Sequence, residues 1–471
     1  MEDDFFELRA ERVPGTCEWI FDDKTFQRWT AESAGPKVLL IYGPPGSGKS
    51  VLASHIINEI SELESPTNTC IFSYCRHDDE RKKDLVDILR TASFTLSEQI
   101  DSYAAELRRF RENGGFKSDD MKTLSFIWRK LLIKTLKESA AKTSIKWIID
   151  GLDESNPSQR SEFLRCLADL RYLKCDLKIL IVSRFNEEID RQLKNIGSEI
   201  IEIDETRVRL DIRQVIRHNI RISARLREPH IVGRVTALLE TRSQGLFLWV
   251  KLVFEALHTM TTDDAILKCM ETMPSSVSKM YDRAILSLTR DLSPSGLCLS
   301  KEIFKWVLTA RRPLSLEELG SGIEAELGKV TSVELEINRC CGGLIVVDRA
   351  RRVRLLHMTV AEYAKDSSSY FIDESLANAA ISKRCLNEIP ISAPMFNSSG
   401  NIDNEVIPLL EYSCVHWSQH VRSSDPQNSD LRATLESFLT TSKVLSWVSV
   451  AFSIGHHSIL ADALEWDWQS W

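Results

Sequence analysis

Val38-Leu39-Leu40-Ile41-Tyr42-Gly43-Pro44-Pro45-Gly46-Ser47-Gly48-Lys49-Ser50-Val51 decides the reading of this chain. An apolar, strand-like run empties into G-x4-G-K-S, and a helix-forming segment from Val51 to Ile60 follows at once. Glycines at these places let successive backbone N–H groups face phosphate oxygens, and the helix N-terminus adds the positive end of its dipole. Lys49 then reaches the β- and γ-phosphates, and the Ser50 hydroxyl takes a place on Mg²⁺. The stretch Gly43, Pro44, Pro45, Gly46, Ser47, Gly48, Lys49, Ser50 and Val51 therefore reads as a nucleoside triphosphate site.

Working outward, the neighbouring apolar runs are 69–74, 145–149, 178–182 and Ile200-Ile201-Glu202-Ile203. Each is short, rich in β-branched residues, and separated from the next by helix-length amphipathic sequence. That alternation predicts an α/β P-loop NTPase domain, a parallel sheet with helices on both faces, over 37–205. Residues 1–36 form a helical flank. From 206 to 290 only 3.6-residue periodicity remains, which predicts a helical domain. Between 291 and 372 three helices precede two short strands, Leu344–Val347 and Val353–Leu356. Ser315 with Glu318 three residues on is a capping box, and the whole outline is a winged helix. Residues 373–471 read as helical, and Trp447 to Trp466 resembles a single ankyrin-like hairpin, which cannot make a solenoid alone.

The other half of the nucleotide site lies in Ile145-Lys146-Trp147-Ile148-Ile149-Asp150-Gly151-Leu152-Asp153-Glu154. A strand ending in Asp150 delivers a carboxylate to Mg²⁺ beside the phosphate loop, so Ser50 and Asp150 are the expected metal residues. Hydrolysis needs a second acid to orient or deprotonate water. Glu154 is favoured for that role, with Asp153 next, although Asp153 serves equally as a helix cap. Arg184 follows the next strand in Ile181-Val182-Ser183-Arg184-Phe185, where a cation either senses the γ-phosphate or is a surface turn residue.

At 471 residues the chain divides into about three or four domains. Its 43% hydrophobic and 27% charged residues are those of an ordinary globular protein. A net charge of −8 argues against broad affinity for nucleic acid or anionic membrane. Eleven cysteines without C-x-x-C pairs suggest a reducing compartment. The acidic start, Met1-Glu2-Asp3-Asp4-Phe5-Phe6, is no signal peptide, and no apolar stretch approaches the ~20 residues that span a bilayer. The expected location is cytoplasmic.

Together these residues resemble the NACHT family of signal-transduction (STAND) NTPases, most closely fungal NOD-like receptor proteins of the NACHT–ankyrin or NACHT–WD type. Asp150-Gly151-Leu152-Asp153-Glu154 matches the family's acidic strand-end pattern, Gly15-Thr16-Cys17-Glu18-Trp19 its opening block, and Ser183-Arg184 its sensor motif. Gly245-Leu246-Phe247-Leu248-Trp249 stands where relatives carry a G-x-P adenine contact. Phe247 replaces that proline, so the contact is not carried over. Leu356-His357-Met358-Thr359 resembles the motif whose imidazole binds the ADP β-phosphate at rest.

The resemblance implies a signalling switch, of the kind used in innate immunity and heterokaryon incompatibility. ADP bridging Lys49 and His357 would hold a closed form. ATP would favour an open form that makes homo- or hetero-oligomers through the NACHT domain and meets a protein signalling partner. Hydrolysis would be slow. ATP is the family default, but GTP remains open. The chain opens almost at the NACHT domain and closes after at most one repeat-like hairpin, so no effector domain or sensor array is expected.

Two other functions compete with the switch. A nucleic-acid ATPase of AAA-like class would use the basic wing Arg349, Arg351, Arg352 and Arg354 on phosphates, yet arginines in a solvated turn need no partner. A metabolic P-loop kinase fits least, because the long helical and winged-helix tail is foreign to that class.

Overall fold

The computed structural model describes residues 2–31, 37–62, 68–114, 120–139, 143–173, 175–223, 226, 228–258, 260–367, 370–371, 373–391, 408–455 and 459–460. It divides into two compact units, Met1–Met280 and Tyr281–Trp471.

The first unit is built on five strands: β1 Val38–Tyr42, β2 Asn68–Tyr74, β3 Ser144–Asp150, β4 Leu177–Ser183 and β5 Glu199–Glu202. All pairings are parallel, in the order β2-β3-β4-β1-β5. Strands in this setting are buried on both faces, which is why they read as continuous apolar runs and not as alternation. Val38, Leu40, Ile71, Ile145, Trp147, Ile149, Ile179 and Ile181 join one core with the helices Leu85–Gln99, Pro157–Cys166 and Glu187–Asn195. The intervening Leu39, Ile41, Ile148, Leu180 and Val182 are buried too. Each such side chain contributes roughly 1.5–3 kcal/mol.

Register sets up the site. Tyr42 pairs with Ser183, Val182 with Asp150, and Asp150 with Tyr74. The C-terminal ends of β1, β4, β3 and β2 therefore form one level edge, where open α/β sheets bind ligands. β4 lies between β1 and β3, so the phosphate loop and Asp150 are separated by one strand whose own end carries Arg184.

Helices Glu2–Glu11, Trp19–Asp22 and Lys24–Thr30 precede the sheet. Between β2 and β3 the chain makes a long helical excursion that includes a π-helix, Ile127–Lys134, which periodicity alone does not announce. After β5 come the helices Glu205–Ile222, Pro229–Arg242, Phe247–His258 and Asp263–Glu271.

In the second unit, helices Pro294–Thr309, Leu316–Leu327 and Val333–Cys340 accompany strands β6 Leu314–Ser315, β7 Ile345–Val347 and β8 Arg352–Leu355. The small antiparallel sheet runs β6-β8-β7, one strand more than the hairpin expected. The capping box of Ser315 and Glu318 is formed. Helices Glu374–Glu388, Leu410–Arg422, Ser429–Thr440 and Lys443–Ser453 follow. Of the ankyrin-like hairpin suggested at Trp447 to Trp466, residues 447–455 and 459–460 are described and the rest lies outside the described residues.

Candidate functional site

The phosphate loop leaves β1 at Tyr42 and enters the helix Lys49–Ser61. Gly46 has φ +77°, and a Cβ there would lie 2.6 Å from Cβ of Leu248, an atom that cannot swing aside. Only glycine satisfies both conditions. Leu248 N–H also donates to the Gly46 carbonyl at 3.2 Å. The segment following Gly245 thus lies against the loop although it lacks the proline of the G-x-P pattern. The Phe247 ring stands 3.1 Å from where a Cβ on Gly48 would fall.

Lys49 Nζ donates to the carbonyls of Gly43 at 2.9 Å and Pro44 at 2.7 Å, so its ammonium lies over the loop. Burial pushes it down to about 8, against the pull of Asp153 and Asp150. Ser47 Oγ is buried without a hydrogen-bond partner.

Asp150 closes β3. The residue is 2% exposed, the Ser50 hydroxyl favours its ionised form, and its Oδ2 has no hydrogen-bond partner. Burial raises its pKa to about 6, opposed by Arg76, Ser50 and Lys49. A buried, orphaned carboxylate oxygen beside a P-loop serine fits a bound cation, because an unsatisfied charge is costly otherwise. Among the described residues no three His, Cys, Asp or Glu side chains gather into a metal cage. Mg²⁺ needs none here, since it completes its shell with phosphate oxygens and water. The donor set fits a magnesium–nucleotide pair.

The two acids after Asp150 diverge. Asp153 Oδ1 accepts from the Arg184 backbone N–H at 3.0 Å, and its Oδ2 lies 3.6 Å from Arg184 Nε. It holds Arg184 in place, and burial raises its pKa. Glu154 Oε2 accepts from the His77 backbone N–H at 2.9 Å and from ring Nδ1 at 3.2 Å. Burial pulls Glu154 upward but is outweighed by His77 and Arg76, which hold it below the usual carboxylate value. Glu154 is therefore an ionised acceptor, the state a general base requires.

Sequence reasoning missed the end of β2. Arg76 and His77 stand in Cys75-Arg76-His77-Asp78-Asp79, which reads as a polar turn. Burial opposes the Arg76 charge, but Asp4, Asp150 and Glu154 outweigh it and raise its pKa. Asp4, 2% exposed on the N-terminal helix, lies 3.4 Å from Arg76 Nε and also pairs with Lys82. The signal available was the parallel pairing itself: a strand adjacent to β3 must end level with Asp150.

A cavity of about 370 Å³ opens beside Ser47, Gly48 and Val51. Val13, Thr16 and Cys17 line it from the opening block, His218, Asn219 and Ile222 from the helical part, and Phe247 and Lys251 from the next helix. Asp211, also on its wall, is engaged by the Cys17 N–H at 2.8 Å. Mostly apolar walls with a few polar groups suit a flat heterocycle.

His357 belongs to the second unit. It caps the helix Met358–Asp366, its Nδ1 accepting from the Thr359 N–H at 3.2 Å. In the same unit the wing arginines meet acids: Arg351 with Glu334 at 3.5 Å, Arg352 with Glu318 at 3.6 Å, and Arg354 with Asp348 at 2.9 Å. No described helix is long and apolar enough to cross a membrane.

Residues 15–184 match the family model of the nephrocystin 3 N-terminal region, and residues 290–373 that of the GPI inositol-deacylase winged helix domain. No curated protein matches the chain. Similar solved structures include a Walker-type ATPase of Pyrococcus abyssi, with TM-score 0.32 and 13% identity over 70% of this chain and 91% of that one. Cdc6p from Pyrobaculum aerophilum gives 0.34 and 13% over 76% and 94%. Drosophila ORC bound to DNA gives 0.29 and 12% over 78% and 98%. The chain carries an α/β P-loop NTPase domain and, further along, a winged helix.

Proposed function

We propose that this chain is a nucleotide-operated signalling switch. ADP favours a closed resting form, ATP an open form that oligomerises through the P-loop domain, and slow hydrolysis restores the first. The observation that carries this reading is the convergence of Lys49, Ser50, Asp150, Glu154 and Arg184 at the C-terminal ends of adjoining strands, with a base-sized cavity alongside. Lys49 and the loop N–H groups would hold the β- and γ-phosphates, and Ser50 and Asp150 would hold Mg²⁺. That ion, when bound, would neutralise charge on the phosphates. Glu154 would orient and deprotonate the attacking water, and Arg184, steadied by Asp153, would read the γ-phosphate. His357 would contact the ADP β-phosphate, a role resting on the likeness of Leu356-His357-Met358-Thr359 to the resting-state motif.

A ligand moves a two-state protein only by its differential affinity for the two states. Di- and triphosphate differ by the group that Arg184 and Glu154 would address, so the site has the means to discriminate. The acidic partners of Arg351, Arg352 and Arg354 weigh against the wing as a phosphate-binding surface, and hence against a nucleic-acid ATPase. The test is light scattering of the purified chain loaded with ADP or with a non-hydrolysable ATP analogue. The analogue should raise the mass. An unchanged mass with both nucleotides bound removes the switch and leaves a nucleotide site.

A further inference from the structure

The end of β2 contributes side chains to the sheet edge that none of the assigned roles uses. Glu154 Oε2 takes both of its hydrogen bonds from one residue, the backbone N–H and the ring Nδ1 of His77. A carboxylate only accepts, so Nδ1 is the donor and carries a proton. Nε2 is buried and makes no hydrogen bond. The imidazole thus has a single polar partner, the acid we assign to water activation. We propose that His77 is a positioning residue for hydrolysis: it clamps Oε2 of Glu154 and leaves Oε1 to order the attacking water.

Three observations support this beyond the contact itself. The loop carrying His77 is closed by bonds that do not involve its ring, Lys82 N–H to the Asp79 carbonyl at 2.9 Å and Asp79 N–H to the Arg76 carbonyl at 3.4 Å. The ring is therefore not needed to hold the loop. Glu154 sits on a short turn, Leu152–Glu154, and its long side chain has free torsions unless something fixes its end. The adjoining Arg76 keeps positive charge beside Glu154 and Asp150, so the clamped acid stays ionised. Arg76 in turn meets Asp4 of the helix Glu2–Glu11. The water-activating acid is held by the strand end on the far side of β3 from the phosphate loop, and not by the loop.

This inference rests on the hydrolytic role of Glu154, and the experiment separates the two. Steady-state turnover of Mg-ATP and Mg-GTP by the full chain is measured with nucleotide affinity in parallel. His77→Ala should lower kcat about tenfold, as expected for a lost hydrogen bond to a charged group, with KM and affinity unchanged. His77→Asn should recover most of the rate, because the amide nitrogen lies as many bonds from Cβ as Nδ1 does. In a Glu154→Gln background His77→Ala should add no further loss, the mark of two residues acting as one unit. A wild-type rate for His77→Ala, equal losses for Ala and Asn, a fall in affinity in place of kcat, or additive losses in the double variant would each overturn the role of His77 alone. A Glu154→Gln chain as active as wild type, or no turnover in either nucleotide, overturns the reading of Glu154 and His77 with it.

Discussion

Gly151 is the small residue between Asp150 and the two acids, and its replacement gives a quantitative test of how the strand ends are locked together. It has φ +75°, and a Cβ built on it would lie 2.6 Å from the Cys75 carbonyl oxygen, a backbone atom. Alanine in the left-handed region costs about 1–2 kcal/mol. The contact must also open toward an ordinary 3.4 Å or more, which pushes the end of β2 off β3 at the point where Cys75 N–H meets the Asp150 carbonyl at 2.8 Å. Losing most of that bond adds about 1 kcal/mol. Gly151→Ala should therefore destabilise the first unit by about 2–3 kcal/mol. Gly197 is the internal control, with φ +76° and nothing within 4 Å of its added Cβ. Gly197→Ala carries the conformational term alone, about 1–2 kcal/mol. Urea unfolding of both variants in one buffer reads the difference directly. Gly151→Ala should also lower kcat, since it moves His77 relative to Glu154. Equal destabilisation by the two substitutions would refute the steric account, and undiminished turnover would refute its link to catalysis.

Other outcomes follow from single contacts. Phe247→Ala should weaken ATP or GTP binding about tenfold, the usual worth of an aromatic face on a base, and leave inorganic triphosphate unaffected; equal weakening of both ligands would place the base elsewhere. Glu318 accepts from Arg312 at 2.8 and 2.6 Å and closes the capping box with Ser315. Burial pulls its pKa upward but is outweighed by Arg312, leaving it below 4.5. The stability it contributes is present above 4.5 and fades as pH falls through the folded value. Glu318→Gln should cost the second unit about 1–2 kcal/mol at neutral pH, with the gap to wild type closing in acid; a gap independent of pH would discount the ion pair.

The strands were legible because buried parallel strands are locally written: Ile145-Lys146-Trp147-Ile148-Ile149 sits inside β3, Ser144–Asp150. The loop of Lys49 and the acids after Asp150 were legible for the same reason, being chemistry confined to a few consecutive residues. What escaped notice depends on pairing across the chain. Nothing near Arg76 says that it ends a strand adjacent to β3, and nothing near Asp4 says that a helix seventy-odd residues earlier will bury a carboxylate against it. The order of β4 between β1 and β3 is likewise a matter of long-range hydrogen bonding. β6, at two residues, is too short to show a period. The split of labour between Asp153 and Glu154 also needed coordinates, because adjacent acids on a tight turn point to different partners.

The most direct measurement is calorimetric titration of Mg-ADP and Mg-ATP into nucleotide-free wild type, Lys49→Ala and Asp150→Ala. The account predicts that wild type binds both nucleotides, that Lys49→Ala binds neither at comparable concentration, and that Asp150→Ala loses the part of the affinity that depends on magnesium. Binding by Lys49→Ala equal to wild type would contradict it.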